Sequence, residues 1–161
     1  SVVSSGEKGK ITVVPNSANV SLNISNSGSL LGTEHFKVNK VPRPTLEIFV
    51  GGTRANDPRG VPVSSARSVR IQAVADPSFA AYSPDDAKFR TTGATVSLVR
   101  GTRRVKFTQV GAGGGSIADL AAEAQPGDRL VIQIDGVQRQ NFRGEISDVP
   151  MGNPLQQVSL Y

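Results

Sequence analysis

The chain has 161 residues, room for one or two domains, and its 37% hydrophobic and 19% charged residues exclude an intrinsically disordered segment. It has no run of about 18 apolar residues, so no membrane-spanning helix is expected, and the lack of cysteine excludes disulfide staples and thiolate metal sites. The formal net charge is +5; between Arg67 and Lys106 the basic residues face only Asp76, Asp85 and Asp86, so this one stretch holds the whole excess. No basic-then-apolar leader opens the chain, which points to a fragment or a mature piece. The 17 glycines and 10 prolines lie between short alternating runs, the composition of an all-β fold rich in turns.

In chain order, residues 1–10 (SVVSSGEKGK) are small and polar and read as a frayed lead-in. Ile11–Val14 is a short apolar run closed by the turn signal Pro15-Asn16. Val20, Leu22 and Ile24 alternate with polar neighbours, Asn26-Ser27-Gly28-Ser29 makes a turn, and Phe36 and Val38 resume the period of two. Strands this few do not close a core alone. They are expected to be the second half of a domain, here residues 1–41, or to dock on another module or chain.

Val41, Pro42, Arg43 and Pro44 follow. Each proline ring fixes φ and pushes the residue before it toward extended backbone, so residues 42–45 read as a stiff linker. Residues 46–161 read as a second β domain. Leu46, Ile48 and Val50 alternate up to Gly51-Gly52; Val69, Ile71 and Ala73 form another half-buried strand, broken at Asp76-Pro77. An irregular loop carries Phe79 and Tyr82. Lys88 to Arg100 is a long strand, and Arg100-Gly101-Thr102-Arg103 a hairpin turn into a strand with Val105 and Phe107 on one face and Arg104, Lys106 and Thr108 on the other. Gly111–Gly115 reads as a flexible loop, Ser116–Asp119 as a capping-box-like start, and residues 117–124 as one short helix ended by Pro126-Gly127. Arg129–Asp135 is the most strand-like piece; Phe142–Val149 is expected to pair with it, and Leu155, Val158 and Leu160 mark a last strand. The fold class is therefore all-β, mainly antiparallel, with one short helix: an immunoglobulin-like partial domain followed by a β-sandwich-like C-terminal domain.

Chemistry-bearing constellations are sparse. The single histidine, His35, lies in an alternating strand with no zinc-ligand companions and no nucleophile elbow. The strand–glycine loop–helix order around Gly111–Ser116 would offer backbone amides to a phosphate, but it lacks the third glycine of G-x-G-x-x-G and any P-loop lysine. Asp85-Asp86 suits turn capping better than shared-proton chemistry. Asp128, Asp135, Glu145 and Asp148 lack metal-ligand spacing. No catalytic residue, metal site or cofactor is assigned. Arginine outnumbers lysine twelve to six, which favours bidentate carboxylate or phosphate contacts. Arg100, Arg103, Arg104 and Lys106 are the candidate partner-binding cations. A solvated sheet face competes with that reading, and a nucleic-acid finger is disfavoured because stacking aromatics are few.

Read as F-K-V-N-K-V-P-R-P, Phe36–Pro44 resembles the end of the third periplasmic domain and the linker of the GldM/PorM family of gliding-motility and type IX secretion proteins. Asp85–Arg90 (DDAKFR), Gln125–Ile134 (QPGDRLVIQI) and Val137–Ile146 (VQRQNFRGEI) resemble that family's last domain, in the same order and with coinciding C-termini. The chain lacks the family's usual Lys-Gly-Gly in Gly51–Val63 and an Asn-Phe-Asp-Phe-Asp-like stretch near Ala75–Asp85, as a divergent member or paralogue would. The resemblance implies a non-enzymatic module of a periplasmic homodimeric shaft anchored in the inner membrane. Its partner there would be a motor subunit of the GldL/PorL type, reached through an N-terminal part, and at the far end ring proteins of the GldK/GldN or PorK/PorN type. The competing expectation is a cell-surface adhesion or carbohydrate-binding β-sandwich, which would be a monomer.

Overall fold

The computed structural model describes residues 2–7, 10–15 and 17–161. The chain divides into two compact units, Ser1–Val41 and Pro42–Tyr161.

The first unit holds two antiparallel hairpins, β1 (Val2–Glu7) with β2 (Lys10–Val14) and β3 (Asn19–Asn26) with β4 (Ser29–Lys37). Residues 2–7 are thus a strand rather than a frayed lead-in: the valine pairs at 2–3 and 13–14 stand in register, and such β-branched residues favour extended backbone. Of the Pro15-Asn16 turn, Asn16 lies outside the described residues. The β3–β4 turn has positive φ at both Ser27 (47°) and Gly28 (86°), the type I′ geometry that matches strand twist. Period-two alternation sorts this hairpin into faces. Val20, Leu22 and Ile24 lie opposite Phe36, Glu34 and Gly32 on one; Ser21–His35 and Asn23–Thr33 pair on the other.

In the second unit the elements run β5 (Thr45–Val50), β6 (Thr53–Arg54), β7 (Ser68–Val74), α1 (Pro77–Tyr82), β8 (Lys88–Arg100), β9 (Arg103–Val110), β10 (Gly114–Ser116), α2 (Ala118–Ala121), β11 (Arg129–Gln140), β12 (Ile146–Val149) and β13 (Leu155–Ser159). One sheet has the order β10-β7-β5-β6. The other runs β9-β8-β11, with β12 and β13 sharing the far edge of β11. All strand pairs are antiparallel. Val50, Val69 and Ile71 from the first sheet and Val96, Leu98, Leu130, Ile132 and Ile134 from the second bury into a single core, joined by Leu120 of α2 and by Ile117 just before it. Each such aliphatic chain contributes roughly 1.5–3 kcal/mol on burial. This is the layered packing of a β-sandwich, the all-β class the alternation predicts, with two short helices instead of one.

The additional helix, α1, begins at the signal read as a strand breaker. Asp76 is its N-cap, accepting from the Phe79 amide at 3.0 Å, and Pro77 occupies its first turn. Helix α2 is shorter than the expected 117–124 and has Ile117 as N-cap with no side-chain cap. Ser116 belongs to β10, and its hydroxyl only reaches the Ala118 amide at 3.4 Å.

Phe142–Val149 was expected to pair with Arg129–Asp135. Instead β11 continues through Gly136, and β12 pairs with its second half, Val137–Gln140, leaving the first half to β13. Continuation is possible because β8 and β11 carry compensating bulges. The register steps from Ile134↔Ala94 to Gly136↔Gly93 to Val137↔Thr91, leaving Asp135 and then Thr92 unpaired. Each bulge shifts the inward phase by one residue. Inward positions therefore run Leu130, Ile132, Ile134 and then Val137 on β11, and Leu98, Val96, Ala94 and then Thr91 on β8.

The glycine run is likewise built rather than loose. Gly114 (φ 110°) pairs with Arg70, and a Cβ there would collide with the Val69 carbonyl. The Gly113 amide donates to Thr91 Oγ1 at 3.1 Å, and the Gly113 carbonyl accepts from the Ile71 amide at 2.9 Å. Gly113 (φ 78°) has open space at its Cβ position. Gly113→Ala is therefore expected to cost about 1–2 kcal/mol from the left-handed backbone alone, and Gly114→Ala more than that because β10 must leave β7. Urea unfolding of the two variants checks the order.

Candidate functional site: the cationic end of the five-stranded sheet

The β8–β9 hairpin turns through Gly101 (φ 60°) and Thr102, with Arg100 and Arg103 paired across it. Leu98 pairs with Lys106 but Val99 with Arg104, so Val105 is an extra residue, a β-bulge. A regular strand would put Arg104, Lys106 and Thr108 on one face. The bulge splits them: Lys106 shares the inward face with Leu98, Arg104 the outward face with Val99. It also separates the two apolar residues expected on one face, for Val105 packs against the core while Phe107 is 52% exposed.

The four candidate cations therefore have different environments. The Arg100 guanidinium donates from Nε to Asp128 Oδ1 and from Nη2 to Asp128 Oδ2, both at 2.8 Å, and from Nη2 to the Glu123 carbonyl at 3.0 Å. Asp128 is 2% exposed and also accepts from the Gln125 amide at 2.9 Å. The Arg100 hydrogen bond lowers the Asp128 pKa below the usual carboxylate value, burial opposing it and the Gln125 amide adding to it. Lys106 Nζ donates to Glu123 Oε1 at 2.8 Å, which raises the Lys106 pKa. Arg100 and Lys106 are thus engaged within the unit. Arg103 and Arg104 are exposed and have no carboxylate partner among the described residues; the Arg104 guanidinium stacks 4.9 Å from the Phe107 ring centroid.

Sequence reasoning missed Arg129. Val99 pairs with Arg104 on one side and Arg129 on the other, so both arginines lie on the outward face, two strand spacings or about 10 Å apart. Among the described residues Arg129 donates to neutral oxygens, the Gly101 carbonyl at 2.7 Å and Gln157 Oε1 at 3.5 Å. Its place as the first residue of the most strand-like run was the available signal, but its neighbour across the sheet was not readable.

The other constellations are occupied locally. His35 Nδ1 lies 2.9 Å from Ser21 Oγ on the polar face of the β3–β4 hairpin, exposed and with no carboxylate on the ring. Asp85 pairs with Lys88 at 3.0 Å, and Asp86 accepts from the Phe142 amide at 3.2 Å. Asp148 accepts from Gln138, and Glu145 from Asn141. Among the described residues no His, Cys, Asp and Glu cluster could hold a metal ion. Open depressions lie elsewhere among the described residues. One of about 330 Å³ is lined by Thr92, Asp135, Asp148 and Met151, and one of about 160 Å³ by Thr45, Glu47, Arg54 and Gln156. In the proline segment Val41, Pro42 and Arg43 are exposed and Pro44 is buried.

The lowered Asp128 pKa fixes a sign. Between that value and the unfolded carboxylate range near 4, the unfolded chain binds more protons than the folded one, so stability rises with pH across this window. The contribution is complete above about pH 4 and is lost as pH falls through the folded pKa. Asp128→Asn is expected to lower stability at pH 7 by roughly 1–3 kcal/mol and to flatten the acid arm of a melting-temperature profile taken from pH 2 to 7.

A family model described as the GldM C-terminal domain matches residues 42–160. Neither the curated proteins nor the solved structures include a match. The matched range covers the whole sandwich, including the Arg100–Asp128 clamp and both outward arginines, and the chain therefore belongs to the GldM family of gliding-motility and type IX secretion components.

Proposed function

We propose that the chain is a non-enzymatic, force-transmitting module of the periplasmic shaft of the type IX secretion and gliding motor, with Pro42–Tyr161 at the end that meets the outer-membrane-associated ring. The match to the GldM C-terminal domain over residues 42–160 carries this reading. In it, residues 1–41 are the second half of the penultimate domain. Support comes from the β3–β4 hairpin, whose apolar face leaves Ile24 (45%) and Phe36 (53%) exposed, as a layer lacking its cover would. The shaft is a homodimer whose protomers reach the inner-membrane motor partner, of the GldL/PorL type, through a part preceding this chain.

Load transfer needs joints that do not fold up and sheets that do not shear. The prolines of Val41-Pro42-Arg43-Pro44 restrict the joint. The long β8–β11 ladder spreads force over many antiparallel hydrogen bonds. At the C-terminus the Tyr161 amide donates to the Val61 carbonyl at 3.1 Å and the Val63 amide to the Tyr161 carbonyl at 2.9 Å, tying the chain end to the β6–β7 connection. Ring proteins of the GldK/GldN or PorK/PorN type would be met by the exposed cations Arg103 and Arg104, with Arg100 and Lys106 holding the hairpin in place.

Deleting residues 42–161 from the full-length protein is expected to abolish gliding and type IX secretion; unimpaired secretion would overturn the reading. Arg103→Ala with Arg104→Ala should reduce recovery of ring proteins in pull-downs while the far-UV spectrum and melting temperature stay put. Arg100 is left out of that variant because its loss would strand the buried Asp128 carboxylate. Light scattering of the full-length shaft should report a dimer, whereas an adhesion module would be monomeric.

A further inference from the structure

The outward face of the five-stranded sheet is uncovered within the second unit, and its chemistry is uneven. At the hairpin end, Arg104 and Arg129 stand on either side of Val99. The next row sets Phe107 beside Ser97 and Val131, both half-buried and uncharged. The carboxylates near this end serve other groups: Asp128 is buried against Arg100, Glu123 is bonded to Lys106 on the inward side, and Asp119 lies near the same Lys106. Two guanidinium groups, an exposed aromatic ring and a low floor between them remain, with no acid paired to them among the described residues.

We propose that this face docks an acidic segment of a protein partner, with carboxylates engaging Arg104 and Arg129 and an apolar side chain resting on Phe107. The inference rests on the shaft reading and adds to it the surface and the chemistry of what it meets. Guanidinium forks match carboxylates in bidentate fashion. A separation of about 10 Å, at roughly 3.3 Å per extended residue, calls for acidic residues two to four positions apart. Both forks are held in place beforehand, Arg129 by the Gly101 carbonyl and Arg104 by the Phe107 ring, which lowers the ordering cost of binding. A second copy of the same face is a poor occupant, since it would set these arginines against their like. Nucleic acid would want a longer cationic track and stacking aromatics.

An arginine on a phenylalanine is also an ordinary cross-strand pair, and the four-stranded sheet supplies that comparison. There Arg54 and Arg70 both cover Phe49, at 5.5 and 4.3 Å, and Glu47 pairs with Arg54 at 2.7 Å, so the ring carries two guanidinium groups and one of them has a carboxylate. On the outward face of the five-stranded sheet a single guanidinium, that of Arg104, lies over Phe107, and neither Arg104 nor Arg129 meets a carboxylate among the described residues.

The test places p-benzoylphenylalanine at Ser97 in the full-length protein in cells, with Gln72 on the other sheet's outer face as control. Adducts from Ser97, and not from Gln72, are expected on one partner protein at a segment with two acidic residues two to four positions apart. Arg104→Glu with Arg129→Glu should cut their yield about tenfold, Lys at both positions should retain part of it, and Lys in place of the partner's acidic pair should restore it to the double-Glu variant. Melting of the 161-residue variants checks that the fold persists. Adducts to a second copy, to lipid or to nucleic acid, or a yield indifferent to the double Glu change, would overturn the proposal. The deletion of residues 42–161 reports separately: lost secretion without the Ser97 adduct sinks the docking surface alone, while intact secretion sinks the shaft reading itself.

Discussion

The bidentate pair between Arg100 and the buried Asp128 decides what the rest of the second unit can present. It ties the last residue of β8 to the turn before β11, and the Glu123 carbonyl brings the end of the α2 region to the same guanidinium. The Asp128 backbone takes part as well: its carbonyl accepts from the Leu160 amide at 2.9 Å, so the chain end is seated by the same turn. A carboxylate this enclosed cannot lose its cation without leaving a buried charge unpaired. The clamp therefore commits the Arg100 charge to Asp128 and, by fixing the hairpin, leaves Arg103, Arg104 and Arg129 as the cations at this end with no carboxylate partner among the described residues.

That division explains how much of the site the sequence disclosed. Composition located the excess charge between Arg67 and Lys106 correctly. It could not say that Arg100 and Lys106 are consumed by acids twenty-eight and seventeen residues further on, because side-chain pairing across strands is a property of register. Nor does period-two reasoning survive a bulge. Past the extra Val105, Phe107 turns outward and Lys106 inward, whereas strict alternation keeps Phe107 with Val105 and Lys106 with Arg104. Strand existence was legible from alternating Val, Ile and Leu; strand phase beyond each bulge was not.

The same constraint runs through the glycines. Gly136 looked like the end of a strand, yet it lets β11 continue past Asp135. A Cβ there would press on Thr92 Oγ1 at 3.0 Å, and one at Gly93 would meet the Val110 carbonyl at 2.9 Å. The run Gly111–Gly115 looked flexible because glycine tolerates many backbone states. In the fold that tolerance serves close approach, with β10 laid against β7 nearer than any side chain at Gly114 allows. Asp76-Pro77 was legible as a break in β7 and also held the start of α1; one dipeptide carried both signals.

The two outward sheet faces show how one residue pair can mean different things. Phe49 has two guanidinium groups over it, and one of them, Arg54, is paired with the Glu47 carboxylate. Phe107 has one guanidinium over it and half its surface open, and Arg129, in the same row as Arg104, meets a carbonyl and an amide oxygen but no carboxylate among the described residues. Exposed cations cost little in water, so stability does not demand a partner here. What distinguishes this face is that its charge is organised by the clamp behind it, at a spacing the strands hold fixed. A surface whose groups are ordered by the core, yet left without complement, is the arrangement that makes binding selective, because little freedom remains to be lost when a complementary segment arrives.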